Sequence, residues 1–216
     1  LLVLYVAPPG GGMLTLGGPE SYHHGGWHKS SLRDVLPVYI DRAPPPPEIP
    51  LDADPPPEWK MLLTRDGWLQ PWVRLRPTED EERRRLAGMS GFRVLSRVSG
   101  IKPAAQVLAN MLGPDGSTAP ALVAQTYGDG RSAALLIGDM WRWSLRREPG
   151  AADDLGKAWR QTVRWLVADV PRRIEAAHNW TQAGDADALA LRVRVRDEKF
   201  EPQENAAVKV TVIPPG

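Results

Sequence analysis

The sequence predicts an α/β protein that runs into a β segment. Three observations carry that expectation. Residues 1–7 (LLVLYVA) and 12–16 (GMLTL) are continuous apolar runs, the pattern of strands buried on both faces in a parallel sheet. Residues 154–168 bring Leu155, Trp159, Thr162, Val163 and Leu166 onto one stripe at helical spacing. Residues 189–196 (LALRVRVR) and 207–213 (AVKVTVI) alternate apolar and polar, as half-exposed strands do.

The first two runs are separated only by PPGGG. A parallel pair needs a crossover of about a dozen residues. The two strands therefore pair antiparallel, or residues are missing between Ala7 and Pro8; the second alternative is preferred. A glycine-rich loop occupies 17–31. Ser30 or Ser31 caps a short helix over 32–36, stopped by Pro37. Pro44–Pro47 and Pro55–Pro57 force an irregular, extended stretch. Residues 60–64 read as a short strand before a turn at Asp66-Gly67. Residues 79–86 (EDEERRRL) read as a short charged helix whose charges are solvated and paired at i, i+4.

Residues 105–111, 121–127 and 131–137 read as three strands. GPDG and GDG join them as tight turns, so they form an antiparallel meander or edge. Asp153 and Asp154 open the helix over 154–168, where a carboxylate caps free N–H groups and suits the dipole. Val170-Pro171 closes it. AHNWTQAGDAD reads as a polar linker, and two alternating strands cannot stand alone. The expected division is 1–178 for the α/β domain, lacking its N-terminal part, and 179–216 for a linker and the start of a β-sandwich.

Composition excludes several classes. Among 216 residues, 27 are basic and 26 acidic, for a net charge of +1, which offers no general attraction to nucleic acid. No apolar stretch approaches the roughly 20 residues that span a bilayer. There is no cysteine, which rules out disulfides, thiolate metal sites and a cysteine nucleophile in these residues. Nine tryptophans stand against two phenylalanines. Trp combines a large apolar face with an N–H donor, so some are expected at a cleft or interface.

An ordered set of segments, GGGMLTLGGPES, LPV, LLTRDG, YGDGRSAALLIGDMWRW and WRQTVRWLVADVPRR, resembles the glutamine amidotransferase-like domains of large bacterial membrane-associated proteins. These belong to the class I glutamine amidotransferase-like superfamily, with the trehalose-utilisation-like proteins. The resemblance covers about residues 1–175. It implies a flavodoxin-like three-layer α/β sandwich with a mainly parallel central sheet, a C-terminal β extension, and a location at the cell envelope. Active members use a cysteine, a histidine and a carboxylate. Here the cysteine is absent, Gly-Gly-Pro follows the strand GMLTL, and Gly138-Asp139 stands where relatives often carry Gly-His.

The candidate site residues follow from chemistry. Gly17 and Gly18 end a strand, where open α/β sheets bind ligands and where a backbone nest holds an anion. Glu20 and Ser21 lie beside them, but Gly-Gly-Pro-Glu-Ser is not a nucleophile elbow. His23, His24 and His28 are weak zinc candidates at no standard spacing. Asp139, Trp141 and Arg142 follow a strand, where a buried Asp–Arg pair would fix a loop. The reading is a non-catalytic amidotransferase-like module with no cofactor. Its partners are other domains of a longer protein and a small-molecule or protein ligand, not nucleic acid or a bilayer. A metal- or carboxylate-assisted hydrolase using Glu20, the histidines and Asp139 is one alternative. A structural spacer is the other.

Overall fold

The computed structural model describes residues 6, 10–42, 57–145, 152–168, 170, 174–183, 186–197, 202–203 and 205–211, the side chains of 180–188 excepted. The chain divides into two compact units, Leu1–Val170 and Pro171–Gly216.

In the first unit, strands β1 (Gly12–Leu16), β3 (Lys60–Leu63), β5 (Gln106–Leu112), β6 (Thr118–Tyr127) and β7 (Gly130–Leu135) form one sheet in the order β1-β7-β6-β5-β3. Only β1 and β7 run parallel, with Gly12 opposite Arg131 and Leu16 opposite Leu135. The pairs β7–β6, β6–β5 and β5–β3 are antiparallel. Strands β2 (Val38–Tyr39) and β4 (Gly100–Ile101) make a separate two-residue pair. The described α-helices are α1 (Leu32–Val35), α2 (Arg65–Leu69), α3 (Glu79–Gly88) and α4 (Asp154–Leu166).

This arrangement corrects the expected fold class. The unit is mostly strand, with a mixed and largely antiparallel sheet, and is not a flavodoxin-like α/β sandwich built on a parallel sheet. The reason lies in the connections. The links between β5 and β6 and between β6 and β7 are too short to hold a crossover helix, so those strands must fold back. The apolar run 12–16 does lie parallel to a neighbour. One parallel pair does not make a parallel sheet. The strand expected over 1–7 lies outside the described residues except for Val6, which is fully buried. The proline-rich stretches also lie outside them, save Pro57.

Alternation along the strands separates two cores. Met13, Val123 and Ala134 face one way, toward Tyr22, Val35, Leu36, Val38 and Ile40. Leu14, Leu122 and Leu135 face the other way, with Met61, Leu86, Met111 and Trp159. Helix α3 starts with a capping box: Thr78 Oγ1 accepts from the Glu81 N–H, and the Thr78 N–H reaches the Glu81 carboxylate. Asp153 caps α4 through the Gly156 N–H. The pairing of β5 with β6 shifts register between Val107 and Asn110. There the Thr64 hydroxyl donates to the Val107 carbonyl at 2.6 Å, and its N–H to the Leu108 carbonyl at 3.1 Å. Thr64 also caps α2 where a turn was expected. Gly67 permits this docking, because a Cβ there would sit 1.9 Å from the Leu108 oxygen.

Helix α3 departs from its expected solvated character. Glu79 and Arg83 pair on the surface, but Glu82 is fully buried and the Arg85 side chain is 8% exposed. One Glu82 oxygen accepts from the N–H groups of Leu75 (3.2 Å) and Arg76 (3.0 Å). The other accepts from Arg85 at 2.6 Å. Arg76 in turn grips Asp154 of α4 with two bonds of 2.8 and 2.9 Å.

In the second unit, β8 (Ile174–Ala183) and β9 (Ala186–Val195) form an antiparallel hairpin. Residues 177–183, expected as part of a linker, are strand because they pair with β9, which contains most of the alternating run 189–196. The expected strand 207–213 is not a strand over its described residues, 207–211.

Candidate functional site

The C-terminal end of β1 meets the chain that leaves β7, and most of the expected site residues gather around this junction. The Gly17 N–H donates to the Leu135 carbonyl at 2.7 Å, extending the parallel pairing. A Cβ on Gly17 would lie 2.5 Å from the Leu136 carbonyl carbon, and one on Gly138 would lie 2.9 Å from the Gly18 Cα. The two backbones touch, which is why glycines stand on both sides. Gly18 donates its N–H to the Ser96 hydroxyl at 3.0 Å, and that hydroxyl lies 3.2 Å from the Gly18 carbonyl as a donor. Both glycine N–H groups thus serve the fold.

Glu20 is exposed, and Ser21 closes a turn by donating its N–H to the Gly18 carbonyl at 3.2 Å. Next comes Tyr22, with φ of 58° and no exposure. Its hydroxyl lies 3.0 Å from Thr15 Oγ1, which itself donates to the Ala133 carbonyl at 3.2 Å. Burial pushes the Tyr22 hydroxyl well above the usual tyrosine range, partly opposed by the Thr15 hydrogen bond. In the unfolded chain tyrosine ionises near pH 10. The folded state keeps the proton, so Tyr22 favours folding fully below about pH 10 and progressively less above it. Tyr22→Phe is therefore expected to cost about 1 kcal/mol at pH 8. That deficit should shrink as pH rises beyond 10, which urea midpoints at pH 8 and pH 11 would read directly.

The histidines form their own small cluster. His23 stacks on His28 with centroids 4.8 Å apart and planes at 17°, and His24 meets His23 edge-on at 6.0 Å. His23 Nδ1 lies 2.7 Å from the Ile40 carbonyl, so that nitrogen carries the proton and bonds the backbone. Among the described residues no group of three or more His, Asp or Glu is placed to hold a metal ion.

Asp139, Trp141 and Arg142 occupy a 3-10 turn over Met140–Ser144 and its approach. The Asp139 carboxylate accepts the Arg93 N–H at 2.8 Å and the Val94 N–H at 3.2 Å. Its third neighbour is Arg142 Nε at 3.5 Å. Arg142 is buried, donates Nε to the Gly91 carbonyl at 2.8 Å, and pairs with Glu58, which Arg93 also meets at 3.1 Å. Arg142 lies 5.7 Å from the ring of Trp141, which is 62% exposed. Asp139 and Arg142 thus tie three chain segments together. Trp141 remains open to solvent. The sequence reading missed Glu58, Arg93 and Ser96, whose surroundings in sequence carry no motif.

A separate set of groups lies on the opposite core. Trp72 stacks on Trp165 at 4.3 Å, and Trp143 lies under Arg85 at 5.4 Å. An apolar cavity of about 60 Å³ lies here, lined from the sheet by Leu14, Met61 and Leu122, and elsewhere by Trp72, Trp143 and Trp159. The abundance of tryptophan was the only sequence signal for it.

No family model and no curated protein matches this chain. Among solved structures, the cytoplasmic protein STM3548 from Salmonella typhimurium is 19% identical, with a TM-score of 0.48 over 73% of this chain and 55% of that one. The cytoplasmic protein STM1381 from Salmonella typhimurium LT2 is 21% identical, with a TM-score of 0.45 over 79% of this chain and 59% of that one. The chain thus spans rather more than half the length of either.

Proposed function

We propose that the chain is a non-catalytic binding module serving a longer protein. The observation that carries this reading is what the expected reactive groups do. Both Asp139 oxygens accept backbone N–H groups, and Arg142 is engaged by Glu58 and Gly91. The Gly17 and Gly18 N–H groups are held by Leu135 and Ser96. A carboxylate and donors used in this way hold loops together and are not poised for substrate. Amide attack also needs an activated nucleophile, and the sequence holds no thiol.

The test is ammonia release from glutamine, together with hydrolysis of p-nitrophenyl acetate, by the full chain. Rates equal to buffer are expected for both. Turnover that disappears in Ser21→Ala or His23→Ala would overturn the reading and restore a hydrolase.

A further inference from the structure

Strand β9 of the second unit has an open edge. On one side it pairs with β8 along its whole length, in continuous register. Among the described residues no strand pairs with the other side. The chain touches that side only where Arg196 bridges Pro202 and the Gln203 N–H donates to the Val195 carbonyl at 2.9 Å. The bond shows which way the backbone points. Val195 turns its polar groups outward, and by the period of two so do Val193, Leu191 and Leu189. A ten-residue edge without proline is a ready template for another strand.

The chain's own next segment does not take the place. Continuing the register set at Pro202 would put Asn205 beside Val193 and Lys209 beside Leu189, with Val208 and Val210 on the opposite face. Hydrophobic and polar residues would each meet the wrong side. Residues 206–211 are accordingly not strand, and Val208 and Val210 stay exposed. The two faces of β9 then set what fits. Leu189, Leu191, Val193 and Val195 share one face, with Leu189 50% and Leu191 44% exposed. Arg192 and Arg194 share the other, both exposed and, among the described residues, without an ion pair. Ala177 stands opposite Arg192, and Glu175, opposite Arg194, pairs with Arg196. We infer that this edge accepts an extended segment of a partner protein that alternates apolar and acidic residues. Main-chain hydrogen bonds would hold it, apolar side chains would extend the leucine face, and carboxylates would lie beside the two arginines. The inference rests on the binding-module reading and names its partner.

Two fluorescein-labelled peptides, TVEVEVT and TVKVKVT, test it by anisotropy against the full chain. The acidic peptide is expected to bind saturably. The basic one should be at least about tenfold weaker, since two attractive cross-strand pairs become repulsive. Replacing both Arg192→Glu and Arg194→Glu should reverse that preference. Leu191→Pro removes an outward N–H and spares the pairing with β8, so it should abolish binding. Far-UV circular dichroism confirms that the variants fold; if Leu191→Pro does not, the double arginine variant decides. The inference is overturned by no saturable binding of TVEVEVT, by TVKVKVT binding as tightly, or by a preference unchanged in the double variant. Dimers of the free chain that Leu191→Pro dissolves would make a second copy the occupant and overturn it too. So would slow amide exchange at Leu189, Leu191 and Val193 in the free chain, because the edge would already be covered. Glutamine or ester turnover in the earlier assay would sink the non-catalytic reading and leave the peptide result standing. Silent titrations would sink the partner class alone.

Discussion

Glu82→Ala is expected to destabilise the first unit by about 3–5 kcal/mol, the cost of stranding one member of a buried ion pair. The substitution leaves Arg85 without its counter-charge in a site only 8% exposed, and removes the acceptor of the Leu75 and Arg76 N–H groups. The damage should spread, because Arg76 holds Asp154 at the start of α4 and Lys157 of α4 bonds the Leu75 carbonyl. Urea denaturation would show the midpoint fall. Hydrogen exchange should show α4 losing protection along with residues 75–82. A loss below about 1 kcal/mol would mean that water satisfies these groups and the pair is dispensable.

Asp139→Ala is the second large effect, expected at about 3 kcal/mol, because two backbone N–H groups lose their acceptor and Arg142, among the described residues, keeps Glu58 alone as counter-charge. Asp139→Asn should recover part of it, since one carbonyl oxygen still accepts. Trp141→Ala, at an exposed side chain, should change stability by less than about 0.5 kcal/mol. Denaturant midpoints of the three variants decide the matter. Asp139→Ala near wild-type stability would mean that the carboxylate is free for a ligand.

The sequence made the local pieces legible. The glycine turns and largely apolar runs of β5, β6 and β7 announced a meander, and the stripe of α4 with its aspartate cap announced a helix. These signals are local, and local chemistry decides them. Sheet order was not legible in the same way. The run Gly12–Leu16 looks the same whether its neighbours are parallel or antiparallel, since it records burial and not direction. The flavodoxin-like expectation came from resemblance and gave too little weight to the short links. Charge misled at Glu82: a carboxylate in a run of seven charged residues reads as solvated, and only the fold brings the Leu75 and Arg76 N–H groups to it. At the candidate site, Asp139 and Arg142 were visible as a pair beside a strand. Glu58 and Arg93 were not, because ion pairing across 84 and 35 residues leaves no trace in spacing.

The parallel pair β1–β7 also bears on how the chain reaches its fold. The hairpins of β5, β6 and β7 close short loops and can form early, where ordering is cheap in entropy. β1 meets β7 only by closing a loop of more than a hundred residues: the Thr15 hydroxyl bonds the Ala133 carbonyl across 118 positions. That closure also assembles the junction where Gly17 and Gly18 lie against 136–138. The meander is therefore the scaffold on which β1 is laid down, and the junction that carries the candidate residues is among the last parts of the unit to take shape.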